Sequence, residues 1–281
     1  MTYYSHRKEI LIVYFIFYFA TLIYFALNQQ LLSQSNPIFF THNRDLLELL
    51  LISTGVPRFL INHPWLYKFA DSLLISLPLL LIIFFIRYKR FSTILGILFI
   101  VIFGVYMLLQ DILTQLHAEM LMGLFLMSFL FATNKEEKTS SILLLCRYFF
   151  LYLFVSAAIW KITRGTVFNS DQLSNVLLLQ HSDLLTSNRY NTSFQVYHYL
   201  IDHPAVSYLI YIGAVVLEIS FLIGFFSKKH DGLLLIAAIV FFSLDHLLMR
   251  LPYWPIMILG ITLIPQGRLS HLLKRLLPIY K

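Results

Sequence analysis

Charge is what this sequence has least of. Asp, Glu, Lys and Arg make up 12% of its 281 residues and hydrophobic residues 59%, where a soluble domain carries about a quarter charged and half apolar. Cysteine is nearly absent too. The single Cys146 sits in an apolar run, which excludes an internal disulfide and any cysteine-based metal site. Signature motifs are also missing: there is no Gly-x-x-x-x-Gly-Lys phosphate loop, no His-Glu-x-x-His and no Gly-x-Ser-x-Gly elbow. An ordinary cytosolic enzyme is therefore excluded.

What is present is apolar length. The mean hydropathy is +0.76, and 26 Phe with 17 Tyr exceed what a water-soluble core can hide. Candidate spans are Ile10–Leu27, Phe69–Ile86, Phe91–Leu109, Glu119–Ala132, Ser141–Ile162, Ala205–Phe226, Gly232–Met249 and Tyr253–Ile264. Eight spans of about 20 residues would use about 160 residues, leaving short loops and no room for a sizeable soluble domain. The first run lacks a small-residue cleavage site after Leu27 and reads as a retained span. The expected architecture is an all-α polytopic bundle of about eight spans, one domain over residues 1–281.

The net charge of +7 has a topological cause, so nucleic acid is not an expected partner. With the N-terminus inside, the inner segments hold Arg7 and Lys8; Arg87, Lys89 and Arg90; Lys135 and Lys138; Lys228 and Lys229; and Arg268, Lys274, Arg275 and Lys281. These are 13 of the 21 basic residues. The positive-inside rule thus predicts both termini cytoplasmic. Two outer segments, around Asp45–Leu51 and Asp171–His181, are amphipathic and predict helices lying on the membrane surface or capping the bundle.

Ionisable residues within apolar runs carry the functional information, because each costs several kcal/mol unless paired or wetted. Arg147 and Glu218 fall at similar depth on consecutive spans and predict a buried ion pair, with a proton relay as the functional alternative. Asp111, His117, Glu119, Lys161, Asp245, His246 and Arg250 gather at outer span ends. Seven such groups from several helix ends predict a shared pocket rather than separate side chains reaching to headgroups. His198 and His203, five apart, do not share a helix face, so a metal site is not expected there.

Three of these stretches resemble the vitamin K-dependent gamma-carboxylase. Asp111-Ile-Leu-Thr-Gln-Leu-His117-Ala-Glu-Met-Leu-Met-Gly123 is similar to its aspartate…histidine–aliphatic–glycine segment. Ser156-Ala-Ala-Ile-Trp-Lys161-Ile is similar to its Ala-Gly-x-x-Lys-Leu helix end, and Asp245-His246-Leu-Leu-Met-Arg-Leu-Pro-Tyr-Trp-Pro-Ile to its His-Leu-Met segment. The order is the same, and the likeness covers roughly Leu98 to Pro265. Glu218 in Val-Val-Leu-Glu-Ile resembles an acid of the wider horizontally transferred transmembrane (HTTM) superfamily. The chain departs from the carboxylase at Thr163-Arg-Gly-Thr-Val-Phe-Asn169 and has no counterpart of its large soluble C-terminal domain, so a stand-alone HTTM domain is the closer match.

The resemblance implies a catalytic trio: Lys161 as the base that deprotonates a vitamin K-type quinol (menaquinol), His117 steadying the anion, and His246 beside them. It also implies a bacterial plasma-membrane protein that acts on a secreted peptide or protein. Three classes stay open: the quinol-using or peptide-modifying enzyme that the resemblance implies; a non-catalytic subunit or scaffold that binds a partner, other membrane subunits or lipid; and a small four-helix-core oxidoreductase partner of the DoxX type, which eight spans disfavour.

Overall fold

The computed structural model describes residues 7–35, 45–87, 89–114, 118–133, 135–182, 192–251 and 253–264. Among them every regular element is helical and no strand occurs. The α-helices are α1 (Arg7–Leu27), α2 (Leu46–Ser53), α3 (Val56–Asn62), α4 (Trp65–Arg87), α5 (Lys89–Leu113), α6 (Met122–Ser128) and α7 (Glu136–Thr163). They continue as α8 (Gln172–Gln180), α9 (Thr192–Asp202), α10 (Pro204–Ser220), α11 (Ile223–Phe226) and α12 (Asp231–Met249).

Six helical stretches are long and apolar enough to cross a membrane: Glu9–Leu27, Trp65–Phe84, Phe91–Leu113, Glu137–Thr163, Pro204–Phe226 and Asp231–Met249. The expected count of about eight is not reached by this measure. Glu119–Ala132 and Trp254–Leu263 are shorter apolar helices, the first built of α6 between two 3₁₀ pieces and the second wholly 3₁₀. Ten residues of 3₁₀-helix rise about 20 Å, short of a hydrocarbon core of about 30 Å. Ile23, Ile94, Leu145, Leu209, Val216 and Leu233, all on the six long stretches, point away from the protein. In water such surface would be an aggregation hazard; in lipid it is the solvent-facing side. A bilayer environment follows from length and surface together.

The chain divides into two compact units, and the division falls inside α7. The first takes the described residues through Cys146 with Pro255–Ile261; the second takes Arg147–Trp254 and the described residues from Thr262.

In the first unit α4 and α5 pack as a hairpin, with the 3₁₀ segment Phe129–Ala132 against α5. Rings from three segments fill its core: Tyr14 and Tyr18 of α1, Phe99 and Phe103 of α5, and Phe131 meet mostly edge to face. Lipid offers no hydrogen bonds, and most polar groups here find protein partners, although the buried Tyr14 hydroxyl has none among the described residues. Tyr18 donates to the Leu74 carbonyl at 2.8 Å. Tyr106 donates to Asp71 Oδ1 at 2.8 Å, and the Ser33 amide donates to Asp71 Oδ2 at 3.0 Å. The expected helix after Asp45 is present as α2, but its faces are the reverse of a buried amphipath. Glu48 is buried, whereas Leu46, Leu47, Leu49 and Leu50 are exposed, as suits a helix whose apolar side meets lipid.

In the second unit α8 packs on α9, α10 and α12. Leu173, Leu177, Tyr197 and Leu200 form its small core, joined by Tyr211, Leu248 and Met249. The expected amphipathic segment Asp171–His181 is thus a helix seated on its neighbours. His181 Nε2 lies 2.7 Å from the Leu248 carbonyl, and Tyr197 donates to the Leu247 carbonyl at 2.8 Å. These two side chains, stacked at 4.0 Å, satisfy carbonyls that the end of α12 leaves open.

Candidate functional site

Three helices of the second unit carry buried charge. On α7, Arg147 and Lys161 are 14 residues apart; on α12, so are Asp231 and Asp245. At 1.5 Å per residue each interval is about 21 Å. The equal spacing gives the unit two ionic levels. Between them lies an aromatic layer: Phe154 stacks on Phe221 at 3.8 Å and meets Phe241 and Phe242 edge-on at 5.3 and 5.4 Å.

The first level is closed. Arg147, 2% exposed, donates from Nη2 to Asp231 Oδ1 at 2.8 Å and to the Gly224 carbonyl at 2.7 Å, and from Nε to Asp231 Oδ2 at 3.4 Å. Asp231 also sits in the first turn of α12, where the helix dipole favours a negative charge. One cation faces one anion, and both are satisfied.

The second level is not balanced. Lys161 Nζ donates to Glu218 Oε1 at 2.5 Å. Asp245 lies within electrostatic reach of Lys161, Glu218 and His246. Lys161 thus bonds one carboxylate and has a second within electrostatic range. Glu218 is 1% exposed, and its Oε2 is buried with no hydrogen-bond partner. Lys161 is a quarter exposed and stands 5.7 Å from the Tyr211 ring centroid. Its position is set by the chain reversal after α7. Gly165 takes the left-handed conformation at φ 71°, which costs glycine least. Thr166 then donates to the Lys161 carbonyl at 3.0 Å and shares a 2.7 Å hydrogen bond with Tyr211.

The expected Arg147–Glu218 pair does not form: Arg147 takes Asp231, and Glu218 takes Lys161. Depth counted along straight spans put Arg147 and Glu218 level. Helical side chains lean toward their own N-terminus, however, so Lys161 reaches back along α7 rather than outward. Asp231 lies one residue outside the candidate span Gly232–Met249 and is not among the expected site residues. The repeated 14-residue spacing was the signal that would have found it.

Of the seven expected pocket residues, the structure brings Lys161, Asp245 and His246 into one neighbourhood and adds Glu218. His246 is exposed in the last turn of α12, with Nδ1 3.4 Å from the Leu251 carbonyl. Arg250 lies over the Tyr197 ring at 5.8 Å. Asp111, half-buried at the end of α5, and exposed Glu119 belong to the first unit. His117 lies outside the described residues. No protein-family model matches the chain, and no curated protein or solved structure is significantly similar to it.

Proposed function

We propose that the chain is a multi-pass membrane enzyme of the HTTM, gamma-carboxylase-like kind, with Lys161 at its working centre. In this reading it sits in a bacterial plasma membrane with both termini cytoplasmic. It takes a proton from a vitamin K-type quinol, and the resulting anion is used to modify or mature a secreted peptide or protein. The supporting observation is the imbalance around Lys161: one ammonium, two carboxylates and a carboxylate oxygen without a partner. A tie that served only to hold helices together would be closed on both sides, as Arg147–Asp231 is. The ordered resemblance of the Lys161, His117 and His246 stretches supplies the quinol.

The test is the absorbance of bound quinolate when menaquinol is added anaerobically to protein in lipid nanodiscs. Wild type is expected to generate it. Lys161→Ala and Lys161→Arg are each expected to lose it, since a guanidinium stays protonated. Undiminished quinolate in Lys161→Ala would end the catalytic reading. The second reading, a non-catalytic scaffold or subunit, is favoured by the 2.5 Å Lys161–Glu218 contact, which is a good interhelical tie in its own right. It predicts no quinolate from wild type.

We also propose that Glu119–Ala132 and Trp254–Leu263 cross the bilayer as short spans, in keeping with the loop charges. Cysteines placed at exposed Lys229 and Ser170 test the first of these, with the N-terminus cytoplasmic, the native Cys146 being buried. An impermeant thiol reagent added outside intact cells is expected to label Ser170→Cys and spare Lys229→Cys. The opposite pattern would mean that Glu119–Ala132 does not cross.

A further inference from the structure

We infer that Glu218 is the seat of an exchangeable proton, and that Lys161, Glu218 and Asp245 bind and release that proton as one unit. The inference rests on the proton-abstracting role proposed for Lys161 and names the group that makes it workable. A lysine accepts a proton only in its neutral form, yet Lys161 donates to a carboxylate at 2.5 Å. Something must take its proton first.

The geometry points to Glu218. With Lys161 charged and both acids ionised, the cluster holds a net charge of −1 inside an apolar span, and such a charge is costly there. One more proton brings the sum to zero. Glu218 is the more buried acid, and its Oε2 is a buried acceptor that no donor of the described residues reaches. An unsatisfied buried ionised oxygen is penalised far more than a neutral carboxyl. A carboxyl that carries a proton needs no outside donor at that oxygen, so the buried Oε2 fits a proton as its ligand.

The surroundings add no competing charge at the buried oxygen. On α7 the facing group is Lys161; on α12 they are Asp245 and, further out, exposed His246. The turn Thr166–Phe168 and α8, which also pack on α10, have no ionisable side chains. On α9, His198 and Asp202 pair with each other at 2.5 Å, both half-exposed. Tyr197 is engaged by the Leu247 carbonyl, and Tyr199 is exposed. On α10 itself, Tyr211 shares its hydroxyl with Thr166, and Tyr208 donates to the Val167 carbonyl at 3.0 Å.

The step balances without a co-reactant. A proton moves from Lys161 Nζ to the Glu218 carboxylate, breaking one N–H bond and forming one O–H bond. The neutral amine then takes the proton of a donor hydroxyl, whose electron pair stays on its oxygen. The result is an anion beside a restored ammonium and a protonated Glu218. Release of that proton to solvent, on the side of the less buried Asp245, resets the site.

Infrared difference spectroscopy of the protein in nanodiscs, stepped in pH without quinol, tests this directly. Wild type is expected to show one protonated-carboxyl band that appears between mildly alkaline and mildly acidic pH. Glu218→Gln should remove it because the seat is gone. Asp245→Asn should remove it because the excess negative charge is gone. Lys161→Met should keep the band present across the whole range. Absence of the band in wild type, or its persistence in either Glu218→Gln or Asp245→Asn, would overturn the inference. If Glu218→Gln fails to fold, Asp245→Asn, at the less buried acid, decides alone. Because no quinol is present, loss of the quinolate signal with this band intact would count against the quinol reading and not against the proton seat.

Discussion

Replacing Asp231 with alanine is expected to destabilise the protein by about 3–5 kcal/mol, the cost of leaving a buried guanidinium without its counter-ion. Arg147 is 2% exposed, and two of its three hydrogen bonds end on Asp231. The remaining one, to the Gly224 carbonyl, cannot neutralise it. The partner itself is expected to matter less than its loss. An Arg147→Met, Asp231→Leu double variant should recover most of the stability, because removing both charges removes both desolvation penalties. Reversible unfolding in mixed micelles measures each value. A single variant within about 1 kcal/mol of wild type would show that the guanidinium reaches water or headgroups instead.

Gly96→Ala is expected to cost about 2 kcal/mol, although alanine is the better helix former by about 1 kcal/mol. The added methyl would stand 2.7 Å from both Cβ and the carbonyl oxygen of Phe131 and 2.9 Å from its carbonyl carbon. Backbone cannot step aside as a flexible side chain can. Overpacking of this kind costs about 1–3 kcal/mol, occasionally more, and here it outweighs the propensity gain. Two controls fix the sign. At Gly104 the nearest atom is a Phe125 ring carbon at 3.2 Å, and at Gly213 nothing lies within 4 Å. Gly104→Ala should therefore change stability by less than about 1 kcal/mol. Gly213→Ala should be neutral or stabilising by up to about 1 kcal/mol. The same unfolding assay reads all three, and a stabilised Gly96→Ala would refute the close approach. Small residues at helix contacts matter in membranes because packing, rather than a hydrophobic driving force, holds helices together there.

Composition and run length made the helical, membrane-like character of this chain legible, because a bilayer permits few alternatives. A run such as Phe91–Leu113 must satisfy its backbone internally and present apolar side chains all round, and both demands are local. The same locality picked out Lys161, Asp245 and His246 at neighbouring span ends. Partners are a different matter. Sequence depth could rank Arg147 and Glu218 as level, but a salt bridge depends on which face each helix turns and on where a long side chain leans. Those follow from packing against other helices, so Arg147 met Asp231 and Lys161 met Glu218. Glu48 shows the same limit: its burial beneath a helix whose leucines face outward is set by contacts across α5, not by the pattern within α2. Residue type and apolar period, being local, were decided by the sequence alone. Pairing, close approach at Gly96 and the orphaned oxygen of Glu218 were decided by the tertiary structure, because each is a relation between segments that only folding brings within a few ångströms.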